Sequence, residues 1–64
     1  MFELDKELVA KLRELRARKN ITLLQASNEI GISSKTLSLI ENEKRLLVKK
    51  TVYNKIIKWL FNSR

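Results

Sequence analysis

One glycine and no proline punctuate this chain. Gly31 sits in the run Ser27-Asn28-Glu29-Ile30-Gly31-Ile32-Ser33, between two short amphipathic stretches. Only glycine enters the left-handed backbone region without a steric penalty, so the sharpest turn is expected here. Ser27, four residues earlier, supplies a small side chain where two helices must approach closely. Ile32 and Leu37, on the far side, can fill the wedge between them. A helix, a Gly turn and a second helix at this spacing predict a helix-turn-helix.

The flanking residues extend the helical reading. Asp5 is placed to cap a first helix running to about Lys19, with Leu4 and Val9 as a hydrophobic staple across its start. Leu8, Leu12 and Leu15 make its buried stripe. Glu7 with Lys11 and Glu14 with Arg18 are favourable pairs four apart, and Arg16, Arg18 and Lys19 suit the negative helix end. Asn20 breaks the pattern. Thr22 caps a second helix, Leu23 to about Ile30, with Leu23, Ala26, Ser27 and Ile30 on one face. Ser33 caps a third, about Ser34 to Asn42, with Leu37 and Ile40 inward. Residues 43–50 show no helical period and read as a loop. Thr51 caps a last helix to about Phe61, with Tyr53, Ile56, Ile57 and Leu60 as its stripe. Asn62, Ser63 and Arg64 are expected to fray.

At 64 residues the chain is read as one domain, residues 1–64. A domain of this size buries only about 60% of its unfolded surface. Cysteine and histidine are both absent, so no disulfide, thiolate metal site or nucleophile–imidazole pair is available. No enzymatic activity, cofactor or metal is expected. The fold expected is all-α, a compact bundle of four to five helices.

The net charge is +7 and favours a polyanionic partner. The charge is uneven. Residues 41–64 hold seven basic and two acidic side chains, and residues 1–40 hold seven basic and five acidic. No apolar run approaches the length of a membrane span, and Met1 leads into Glu3, Asp5 and Glu7 rather than into a secretory leader. A cytoplasmic location without membrane association is the expectation.

In a helix-turn-helix the second helix puts its N-terminal residues into the DNA major groove. On that geometry Ser34, Lys35, Ser38 and Leu39 face outward as base readers. Lysine donates to guanine O6 and N7, serine pairs with several base edges, and leucine touches a thymine methyl. Ser33 and Thr36 are better placed for phosphate or capping contacts.

The run LRELRARKNITLLQASNEIGISSKTLSLIENEKR resembles the Cro/C1-type (Xre-like) helix-turn-helix domain of phage repressors and bacterial regulators. The resemblance spans roughly residues 8–60. Its most specific parts are LRELR at 12–16, the small-x-x-x-Gly-Ile-Ser run at 27–33 and TLSLIENEKR at 36–45. It implies a lambda-repressor-like fold that binds a double-stranded operator, often as a homodimer through C-terminal residues. It also implies an ion pair between Arg16 and Glu41, and phosphate contacts from Asn42, Lys44 and Arg45.

Three departures from that family pattern bear on function. Leu23, followed by Leu24, stands where a polar phosphate binder is common, Glu43 stands where glycine usually follows the Glu-Asn pair, and Leu46-Leu47-Val48 replaces a polar or proline-containing loop. These residues, Leu23, Leu24, Glu43, Leu46, Leu47 and Val48, define an alternative protein-binding surface, and Trp59 and Phe61 form a second patch, for core packing or for dimerisation. An antirepressor of the same fold would use the first to bind a partner repressor and block that partner's DNA face.

Overall fold

The computed structural model describes residues 1–62. The elements in chain order are β1 (Phe2–Glu3), α1 (Lys6–Lys19), α2 (Leu23–Ile30), α3 (Ser34–Glu41), β2 (Leu47–Val48) and α4 (Lys50–Asn62). The chain is mostly helical. Among the described residues are four helices, at the lower end of the expected number, and a two-stranded ribbon.

Three helix starts follow from side-chain oxygens that take up otherwise unpaired N–H groups. Asp5 Oδ1 accepts from the N–H of Leu8 at 2.7 Å. Thr22 and Gln25 form a reciprocal capping box, with Gln25 N–H donating to Thr22 Oγ1 and Thr22 N–H to Gln25 Oε1. Ser33 Oγ accepts from Thr36 N–H at 3.1 Å.

The ends of these helices are equally local. α1 closes on Asn20 (φ 54°), α2 on Gly31 (φ 93°), and the turn after α3 on Glu43 (φ 59°). Past the end of α3, Glu43 N–H donates to Ile40 O and Lys44 N–H to Leu39 O. This two-bond closure places its left-handed residue where glycine is the usual choice, and here that residue is a glutamate.

The core holds Leu4, Val9, Leu12, Ala26, Ile30, Leu37, Ile40, Val48, Ile56 and Trp59. Both staple residues, Leu4 and Val9, are therefore fully buried. Leu8 and Leu15 pack only at the edge, so α1 turns its Val9–Leu12 side inward rather than the full leucine stripe.

Several expectations need correction. Residues 43–50 are not wholly a loop. Leu47–Val48 pairs antiparallel with Phe2–Glu3, and Leu4 N–H donates to Leu46 O at 2.7 Å. The ribbon ties the first residues to the segment before α4 and buries Leu4 and Val48 beneath it. Thr51 is not a cap, because α4 starts one residue earlier and Tyr53 N–H bonds to the backbone carbonyl of Lys49. Glu7 and Lys11 form no ion pair; the ion pairs among the described residues are Arg16–Glu41, Arg18–Glu14 and Lys19–Glu29. Asn62 belongs to α4, while the fraying expected of Ser63 and Arg64 lies outside the described residues.

Candidate nucleic-acid interface

α3 is eight residues long, too short to persist alone in water, so its place is set by what holds it. Leu37 and Ile40 are fully buried against α1 and α2. Ser27 is buried at the α2–α3 turn. Its hydroxyl donates to Leu24 O at 2.7 Å, and its carbonyl accepts from both Gly31 and Ile32 N–H. A larger residue there would push the two helices apart.

The second anchor is ionic. Arg16 Nε donates to Glu41 Oε2 at 2.9 Å and its Nη2 donates to Glu41 Oε1 at 3.0 Å, a two-pronged pair. The Glu41 side chain is only 8% exposed. Arg16 also donates to Ile21 O, and Arg13 donates to Glu41 O. The guanidinium therefore joins the end of α1, the α1–α2 link and the end of α3.

With Leu37, Ile40 and Glu41 turned inward, the remaining positions of α3 face out. Lys35 is exposed, and Ser34, Ser38 and Leu39 are half-buried along the same side. Ser33 donates its hydroxyl proton to Thr36 Oγ1 at 2.8 Å while accepting from Thr36 N–H, so Ser33 is committed to the cap. The Thr36 hydroxyl retains its own proton for an outside acceptor. Asn42 Nδ2 reaches Ser38 Oγ at 3.4 Å. Leu39 O accepts from both Lys44 and Arg45 N–H, which sets these two exposed cations directly beyond α3.

The electrostatics separate α1 from this region. Glu14, Glu29 and Glu41 each take a cation of α1. Lys35, Lys44, Arg45, Lys49 and Lys50 have no carboxylate partner among the described residues, and Glu43 is the one unpaired acid in their stretch. Lys49 and Lys50, at the start of α4, were not singled out by motif. Only the excess of charge after residue 40 pointed toward them.

The apolar residues suggested as a partner surface divide. Val48 and Trp59 are buried in the core and offer no surface. Leu23 and Leu46 are half-buried against it. Leu24, Leu47 and Phe61 are exposed, at 60%, 55% and 63%.

Trp59 belongs to a cluster that the sequence reading missed. Its indole N–H donates to Glu29 Oε1 at 3.0 Å, Lys19 Nζ lies 3.2 Å from the same oxygen, and that ammonium sits 5.7 Å from the centre of the indole ring. Hydrogen bonds from Trp59 and Lys19 hold the Glu29 carboxyl below the ordinary carboxylate range. α1, α2 and α4 are joined at this point.

No protein-family model, no curated protein and no solved structure matches the chain.

Proposed function

We propose that this chain is a sequence-specific DNA-binding regulator of the Cro/C1 type, and that α2, the Gly31 turn and α3 act as a helix-turn-helix. The observation that carries this reading is the outer side of α3. There, short hydroxyl groups stand beside Lys35, with Lys44 and Arg45 directly beyond the helix end, and none of these three cations has a carboxylate partner among the described residues. In the proposed mode Ser34, Lys35, Ser38 and Leu39 enter the major groove. Thr36, Asn42, Lys44 and Arg45 grip the flanking phosphates and fix register. Occupancy of an operator then blocks a promoter by steric exclusion, and a homodimer would match a two-fold symmetric site.

The test is selection from a random duplex DNA pool at low and near-physiological salt, followed by sequencing. Enrichment of one site, with affinity falling steeply as salt rises, is the expected result. Salt-sensitive retention with no enriched sequence would overturn sequence reading by α3.

A second reading is an antirepressor that binds a partner repressor. The exposed Leu24 and Leu47, with the exposed acid Glu43 beside α3, favour it. A complex with a repressor that survives high salt, together with weak binding to any duplex, would select it over the first.

A further inference from the structure

The side of α1 turned away from α3 carries a second feature. Leu8, Lys11, Leu15 and Arg18 recur at three- and four-residue spacing and form one stripe. Val9, Leu12 and Arg16 form the neighbouring stripe, which meets the core and the end of α3. At 3.6 residues per turn the two stripes are centred roughly 110° apart around the helix axis. Against the first stripe lie Ile57, Leu60 and Phe61 of α4, and between the two helices runs an open groove of about 530 Å³. Its floor is leucine and isoleucine that the core leaves half-buried. Of its charged edge residues, Glu14 and Arg18 pair with each other, and Lys11 has no carboxylate partner among the described residues.

We infer that this groove docks an acidic amphipathic helix of a partner protein. An apolar trough between two helices receives the apolar stripe of a third, with contacts one and two turns apart. The edge selects the sign of the visitor, since Lys11 is a net cation over a greasy floor and needs an acidic residue opposite it. A second copy of this chain seated on the same face would set Lys11 against an edge of the same net sign, which makes it a poorer occupant of this groove. The groove faces away from α3, so a partner seated here leaves the α3 face open. The inference rests on the groove and its charge, and it does not require that α3 reads DNA.

The test uses three labelled synthetic peptides of about 14 residues, roughly 20 Å as helices. One carries leucine at every third or fourth position and glutamate elsewhere. The second replaces its glutamates with lysine, and the third replaces its leucines with serine. Only the acidic, leucine-bearing peptide should bind by fluorescence anisotropy. It should shift the methyl resonances of Leu8, Leu15, Ile57 and Leu60. Lys11→Glu, a change at an exposed position, should weaken it about fivefold at low salt, with the circular dichroism of the variant matching the parent. Equal binding of the serine peptide, or shifts confined to α3, would show only a general attraction of acid to a basic protein and would overturn the inference. So would dilution-dependent shifts of the same methyls in the peptide-free protein, accompanied by dimer in sedimentation, which would give the groove to a second copy.

Discussion

The indole N–H of Trp59 donates to the Glu29 carboxylate, across thirty residues of sequence, at 3.0 Å. This bond makes a buried α4 residue part of the α2 surface, and it is the main reason that the Glu29 carboxyl titrates low. A carboxylate whose pKa is depressed in the folded state adds stability that is present above its unfolded value. That stability is lost as pH falls through the folded one. The unfolded value is about 4.3. Glu29→Gln should therefore lower the urea midpoint at pH 7, and the gap to the parent protein should be smaller at a pH below that unfolded value. Because Trp59 is the sole tryptophan, its fluorescence should report the same titration in the parent and lose it in Glu29→Gln. A gap unchanged between the two pH values would remove Glu29 from the stability account.

The Arg16–Glu41 pair predicts a different pattern. Arg16→Met leaves the Glu41 carboxylate nearly buried and without its cation. Stranding a buried charge costs about 3–5 kcal/mol, and the partial exposure of Arg16 reduces that to roughly 2–4 kcal/mol. Arg16→Met with Glu41→Leu should recover most of the loss, because an apolar pair strands nothing. Denaturant unfolding followed by circular dichroism, run as a double-mutant cycle, checks this. Additive losses would mean that the two side chains act independently.

The parts of this fold legible in the sequence are those written in neighbouring residues. Asp5, Thr22 and Ser33 act on N–H groups three positions away, and Gly31 acts on its own backbone, so α1, α2 and α3 could be read directly. The ribbon could not, because a strand of two residues has no period and Phe2–Glu3 pairs with Leu47–Val48, which lies far along the sequence. Thr51 misled for a related reason. A hydroxyl residue resembles a cap, yet the start of α4 is fixed by the ribbon that ends beside it. Trp59 was misplaced because its partners Lys19 and Glu29 lie far away in sequence, and a large aromatic near a chain end looks equally like core or surface. On the candidate interface, the outward side of α3 followed from helical period. Which cations lack a partner depended on where Glu14, Glu29 and Glu41 had gone.

Glu43 offers a test of backbone strain and of charge together. It holds φ 59°, a left-handed conformation that costs a residue with a Cβ about 1–2 kcal/mol. Glu43→Gly relieves that strain and gives back part of it through greater freedom in the unfolded chain, for a net gain of about 0.5–1 kcal/mol. It also removes a negative charge beside Lys44 and Arg45. The glycine variant should melt higher and bind duplex DNA more tightly at low salt. Glu43→Val, which crowds the same conformation, should melt lower than the parent protein. If the valine and glycine variants melt alike, the turn has relaxed to another conformation.

The proposed roles of Lys35 and Lys44 are separable by what each loses. A lysine that reads a guanine edge contributes at one base pair, whereas a lysine on a phosphate contributes to any duplex. Lys35→Ala should weaken an enriched site by about 1–3 kcal/mol, leave random duplex nearly unchanged and relax selectivity at one position. Lys44→Ala should weaken both DNAs by the same factor and lower the slope of log affinity against log salt by about one. Neither side chain touches the core, and Lys44 is anchored only through its backbone N–H, so both variants should fold as the parent does. Titrations of both variants on both DNAs at two salt concentrations give the comparison. An equal loss for Lys35→Ala on enriched and random duplex would make Lys35 a phosphate contact. The reading of α3 would then rest on Ser34, Ser38 and Leu39.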